Sequence, residues 1–205
     1  MRLIIAVDGP AASGKGTIAS ALAKHYGLPM LDTGLLYRAV GLTVLRAGQD
    51  PADETAASAA CDFADTIMDD PAIRSEAVGQ AASQASAHPA VRAALLRRQQ
   101  EFATQPGGAV LDGRDIGTVI APNADAKLFV TASAQARATR RAAQESGASF
   151  DAVLADIKLR DERDSGRGAA PLRQAEDADL LDTTDLDIRA AVQQAVALVE
   201  ARIRH

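Results

Sequence analysis

The 205-residue chain has no tryptophan and only 3% aromatic residues, so a core built from packed rings is excluded. With 47% hydrophobic residues, the core has to be assembled from Ala, Leu, Val and Ile, which suits helices packed on a buried sheet. Cysteine is reduced to Cys61, which excludes an internal disulfide and a cysteine-based zinc site and fits a reducing, cytoplasmic setting. A small helix-packing role is expected for it. No excess of basic charge is present either. A net charge of -5 argues against the broad basic face that a nucleic-acid polymer or an anionic membrane requires, while leaving room for a local basic cleft. Long apolar runs are also missing: Leu3 to Val7 is too short for a signal core or a bilayer span, so a soluble, unprocessed chain is expected. The length suits a single domain over 1–205 with one core and a small mobile appendage.

What is present is alternation. Short, continuous apolar runs at Leu3–Asp8, Leu28–Asp32, Ala109–Asp112, Ala126–Thr131 and Ala178–Thr184 predict strands buried on both faces. Helical patterns fall between them at Lys15–Tyr26, Gly34–Ala47, Ala90–Ala103, Gln135–Glu145, Phe150–Arg163 and Leu186–Arg204. This is an α/β plan: an open parallel sheet of about five strands with helices on both faces, whose ligands bind beyond the carboxyl ends of the strands. Residues 50–87 differ, being rich in Ala and lacking a buried-strand run, and predict a helical insertion able to move against the core.

"GPAASGKGT" follows the first strand and opens the first helix. Gly9, Gly14 and Lys15 satisfy GxxxxGK, the phosphate-cradling pattern in which glycines turn backbone N–H groups inward and the helix adds its positive end. Pro10, Ala11, Ala12, Ser13 and Gly16 complete the candidate triphosphate loop, and Lys15 would reach the β- and γ-phosphates. A hydroxyl is expected directly after the lysine, yet it comes one place later, at Thr17. Magnesium follows from a triphosphate, with Thr17 and Asp112, the latter through water, as candidate metal groups. Asp112 could equally cap a turn. Arg114 and Asp115 place opposite charges at the same strand end. "RDERDSGR" carries Arg160, Arg163 and Arg167, and "ARATRR" carries Arg137 and Arg141. Phosphoryl transfer needs such planar cations around donor and acceptor phosphates. The competing reading of the first cluster is a solvated helix face with an i, i+4 pair such as Arg160 and Asp164.

Together these stretches resemble the bacterial cytidylate kinases, within the P-loop nucleoside monophosphate kinases. "GPAASGKGT" is similar to the family's loop, in which Gly follows the lysine and Thr comes next. "LDTGLLYR" resembles the acceptor-phosphate segment and implies Thr33 and Arg38 near a monophosphate. "ASQASAHPAVRAALLRRQ" resembles the pyrimidine-contacting region and implies Ser83 and Arg92 near cytosine. "DGRDIGTVIAPNADAKLFVTAS" assigns Arg114 and Asp115 to the monophosphate. "IKLRDERDSGR" resembles a lid, here 158–170, implying that Arg160, Asp164 and Arg167 close over sugar and phosphates. "ARATRR" then puts Arg137 and Arg141 on the triphosphate side. The family commonly carries a small antiparallel β insertion where this chain has a shorter, helical Asp50–Arg74 stretch.

The resemblance implies transfer from ATP, with magnesium, to CMP or dCMP by a cytoplasmic monomer. The residues agree: a monophosphate oxygen is already anionic at neutral pH, so no base is required, and His25, His88 and His205 are expected as surface or cap residues. Another small kinase, acting on UMP, AMP or a shikimate-type alcohol, is the alternative among enzymes. A nucleotide-binding switch is the alternative from another class. It would need hydrolysis-sensitive loops rather than arginines converging on an acceptor.

Overall fold

A computed structural model describes residues 2–143 and 149–204, which form two compact units, one within 2–31 and 102–204 and one over Asp32–Glu101. The first is built on a five-stranded sheet in the order β2-β3-β1-β4-β5, with β1 (Leu3–Asp8) at its centre. The others are β2 (Met30–Asp32), β3 (Gly108–Gly113), β4 (Ala126–Thr131) and β5 (Asp179–Asp182). β1 runs parallel to both β3 and β4, and β4 parallel to β5, with Val7 opposite Asp112 and Asp8 opposite Gly113. The strand ends that carry carboxylates therefore share one sheet edge.

Continuous hydrophobicity is needed because β1 is buried on both faces: Ile5 and Val7 on one, Ile4 and Ala6 on the other. Ile5, Val7, Val110, Leu128, Val130 and Leu181 pack against α1 (Lys15–Tyr26) and α8 (Ile188–Ile203) through Ile18, Leu22, Ala195 and Val199. All of these side chains are aliphatic, as the shortage of rings requires. α6 (Ala134–Ala142) and α7 (Phe150–Ser165) form a smaller cluster around Ala138, Val153 and Ile157. α6 corresponds to the helix expected over Gln135–Glu145; Gln144 and Glu145 lie outside the described residues, as does His205.

The second unit is helical. It contains α2 (Thr33–Arg46), α3 (Glu54–Ala59), two 3-10 turns at Asp65–Asp69 and Pro71–Arg74, α4 (Glu76–Ala85) and the residues of α5 (Pro89–Ala103) up to Glu101. Residues 50–87, expected as a helical insertion, lie wholly inside it. Asp32 starts α2 by accepting from Gly34 N at 2.9 Å, which satisfies one of the amides a helix leaves open. Ala39 and Leu42 pack with Ile73 and Val78. Cys61 follows α3, and its thiol donates to the Ala57 carbonyl at 3.5 Å. His25 is exposed near the end of α1, and His88 meets the Pro51 carbonyl at 3.0 Å.

Gly41 lets α2 and α4 approach closely. A Cβ there would stand 2.8 Å from Ala82 N and 3.1 Å from the Ala81 carbonyl carbon, both backbone atoms that cannot swing away. Gly41→Ala is therefore expected to lower stability by about 2 kcal/mol, the cost of overpacking a tight contact, with the shift read from denaturant unfolding curves.

Candidate active site

The loop leaves the end of β1 through backbone conformations that L side chains rarely adopt. Gly9 has φ 155° and lies so near β4 that a Cβ would be 2.0 Å from the Val130 carbonyl oxygen. Ala12, with φ 59°, takes the left-handed form without a glycine's freedom, and Gly14 follows at φ 89°. No side chain caps the N-terminus of α1, and its first turn has no acidic residue. Its leading amides and positive dipole end therefore favour an anion there.

Lys15 and Asp112 meet at this point, with Nζ 3.8 Å from Oδ1 and both side chains largely buried. Asp112 lies one residue before the end of β3, and its other oxygen reaches toward Gly16. A Cβ on Gly16 would sit 3.1 Å from Asp112 Oδ2, tighter than ordinary contact. This explains the displaced hydroxyl: the position after Lys15 stays bare so that a carboxylate can approach the first turn of α1. Thr17, one place on, is exposed. Asp112 beside a triphosphate loop fits a magnesium ion, which keeps most of its waters and takes one or two carboxylates plus phosphate oxygens. Among the described residues, no cluster of three His, Cys, Asp or Glu forms a separate cage.

Behind Asp112 lies a buried carboxylate that sequence reasoning passed over. Asp8 accepts from Ile116 N and Gly117 N, both at 2.8 Å, and so fixes the π-helical turn Ile116–Ile120 that follows Arg114 and Asp115. Burial pushes its pKa up from 3.8 to about 7, against the pull of the two N–H bonds, and Asp115 and Asp112 add repulsion. Its place at the last position of β1 was the available signal.

Asp164 organises the arginines. Arg114 Nε donates to its Oδ2 at 2.7 Å, and Arg167 donates to its Oδ1. Burial opposes ionisation of Asp164, but Arg114 and Arg167 outweigh it and hold the carboxyl below its ordinary value. Arg160 pairs one turn earlier with Asp156 at 2.9 Å, and Asp164 is turned toward Arg114 and Arg167. Arg163 and Arg141 are half-buried. Arg137, placed by resemblance on the triphosphate side, reaches the loop from the protein side: its Nη1 donates to the Ala11 carbonyl at 3.2 Å.

In the helical unit, Thr33 is the buried first residue of α2, and Arg38 donates to the Ile73 and Ser75 carbonyls at 2.8 and 3.1 Å. Arg92 lies over the Tyr37 ring with its guanidinium carbon 5.5 Å from the centroid, and donates to the Ser86 carbonyl at 3.2 Å. Ser86 in turn donates to the carbonyl of Ser83 at 3.0 Å, so Ser83 and Arg92 share one support. Tyr37 stands inside "LDTGLLYR" and was not singled out from sequence. Its aromatic character in a ring-poor chain was the clue.

The family model for cytidylate kinase matches residues 5–201. This chain belongs to the cytidylate kinase family. Its relatives include a cytidylate kinase from Xanthobacter autotrophicus, 58% identical over 98% of each chain, and one from Methylocella silvestris, 57% identical over 97% of this chain and 94% of that one. A third, from a Caulobacter species, is 55% identical over 100% of this chain and 97% of its own. Solved structures share the fold at low identity. An uncharacterized protein from Eubacterium ventriosum has a TM-score of 0.62 at 16% identity, covering 98% of this chain and all of its own. A sugar kinase from a Janibacter species has a TM-score of 0.53 at 13% identity, covering 98% and 95%. The chain is thus a nucleoside monophosphate kinase by family, and none of its described helices is long and apolar enough to cross a membrane.

Two measurements check this electrostatic picture. A carbon-detected NMR titration of the nucleotide-free, metal-free protein is expected to place the Asp8 midpoint near 7. Because that value lies above the ordinary 3.8, the Asp8 contribution to stability is full below pH 3.8 and is lost as pH rises through about 7. Asp164, with its lowered value, contributes in the opposite sense, and its share is lost as pH falls. Gly16→Ser is expected to press on Asp112 and lower kcat by about tenfold, seen in steady-state assays, since small misplacements of an active-site group cost this much or more.

Proposed function

We propose that the chain transfers the γ-phosphoryl group of ATP to CMP and dCMP, giving ADP with CDP or dCDP, as a cytoplasmic monomer. The observation that carries this reading is the Lys15–Asp112 pair at the mouth of a left-handed, uncapped loop in a member of the cytidylate kinase family. Residues 9–17 hold the triphosphate through their amides and Lys15. Magnesium, when bound, neutralises phosphate charge; Asp112, through water, and Thr17 would hold it. Arg141 belongs to the triphosphate side.

The acceptor needs no base, because its attacking phosphate oxygen is anionic already, so these residues bind, orient and neutralise. Arg114 and Asp115 take the monophosphate, Thr33 and Arg38 take its phosphate, and Ser83 and Arg92 take the cytosine. Arg160, Arg163, Asp164 and Arg167 act from a lid at 158–170, whose closure excludes water that would otherwise hydrolyse ATP. In that role the Arg114–Asp164–Arg167 ion pairs open or shift so that guanidinium groups face phosphate oxygens. The whole of 1–205 then works as one kinase domain with 50–87 as its monophosphate-binding insertion.

A coupled assay with ATP, magnesium and each of CMP, dCMP, UMP, AMP and shikimate tests the reading. CDP and dCDP are expected as the main products, and preference for AMP or an alcohol would overturn the acceptor assignment. Lys15→Met is expected to lower kcat by about 100-fold or more, the usual cost of deleting a group that stabilises transferring charge. Arg167→Ala with near-normal turnover on CMP would remove Arg167 from the lid role.

A further inference from the structure

Arg137 lies on α6 but is one of the most buried charges in the first unit, with 4% of its surface exposed. Its Nε donates to the Ala132 carbonyl at 2.9 Å, and Nη1 donates to the Ala11 carbonyl at 3.2 Å. Nη1 and Nη2 also grip Asp161 on α7, at 3.0 and 2.6 Å. Four of the five guanidinium donors are thus spent on protein acceptors in three separate segments. A guanidinium so committed is poorly placed to serve a phosphate as well.

The next residue makes a second contact to the same helices. Ala12, the left-handed residue of the loop, packs against the cluster of Ala138, Val153 and Ile157 contributed by α6 and α7. An alanine in this conformation costs roughly 1 kcal/mol or more and persists only where its surroundings impose it. Here they do so twice, through the Ala11 carbonyl held by Arg137 and through the Ala12 methyl held by the apolar cluster. Ser13, next again, has its carbonyl bonded by Thr183 Oγ1 at 2.9 Å, and Arg140 of α6 donates to that same hydroxyl at 3.0 Å. The carbonyls of Ala11 and Ser13 are therefore tied back toward α6, which holds the curve of the loop from that side.

From this geometry we infer that Arg137 is a positioning residue: it holds the phosphate loop in its strained curve and, through Asp161, makes that curve depend on the seating of α7. The inference rests on the reading that the loop takes a triphosphate. α7 also carries Arg160, Arg163 and Asp164, so the link joins the elements assigned to the two phosphate groups. Asp161 is only half-buried and bonds no phosphate-loop atom, so its effect on nucleotide has to travel through Arg137.

Calorimetric titration of ATP with magnesium chloride, acceptor omitted, into wild type, Asp161→Asn, Arg137→Met, Arg137→Lys and the Asp161→Asn/Arg137→Met pair tests this. Asp161→Asn is expected to weaken ATP binding about tenfold, and the double variant to bind no worse than Arg137→Met alone, the non-additive pattern of one linked unit. Arg137→Lys is expected to behave like Arg137→Met, because an ammonium cannot fork between Ala11 and Asp161. ATP binding by Asp161→Asn within about twofold of wild type, losses that multiply in the double variant, or full rescue by lysine would overturn the inference in favour of a direct phosphate contact. Should Arg137→Met not fold, as judged by thermal unfolding without nucleotide, Asp161→Asn and Arg137→Lys decide alone. If wild type binds ATP yet makes no CDP, the acceptor reading fails while this coupling stands.

Discussion

Everything at the sheet edge depends on bringing a buried carboxylate against the positive end of a helix. Asp112, one residue before the end of β3, lies opposite Val7 of β1, and α1 begins only a short loop beyond Asp8, so strand register alone sets carboxylate and helix side by side. Such an approach sets Asp112 beside Lys15 and leaves a tight fit for any side chain at position 16. The loop's unusual spelling is the covalent imprint of that approach. A side chain directly after the lysine would press on the carboxylate.

The sheet was legible because its strands are buried on both faces and written as unbroken apolar runs. Leu3–Asp8 and Ala126–Thr131 were read to their last residue, while the run beginning at Leu28 yields a strand only from Met30. The helical nature of 50–87 was legible from its alanine content, but its inner contact was not, since Gly41 acts by lacking an atom that composition does not register. Candidate charges were visible as residues but not as pairs. "RDERDSGR" offers Asp161 and Asp164 to several arginines at helical spacing. Only the fold decides that Asp164 serves Arg114 and Arg167 while Asp161 serves Arg137. Partners fifty residues apart leave no local period.

Charge balance across the site is arranged rather than summed. Asp8, Asp112 and Asp115 gather negative potential where β1 and β3 end, and on α6 and α7 Arg137, Arg140 and Arg160 are each held by a carboxylate or a carbonyl. A chain of net charge -5 can thereby hold cations ready for polyphosphate without presenting a basic face that would attract nucleic-acid polymers.

The uncapped start of α1 has one more consequence. Backbone amides that no side chain satisfies are completed by whatever anion occupies the loop, so part of the helix's own cohesion is contributed by the nucleotide. By mass action, a ligand at about 100 times its dissociation constant adds roughly 2.7 kcal/mol to the folded state. A nucleotide seated at this loop is therefore also part of what holds the chain folded.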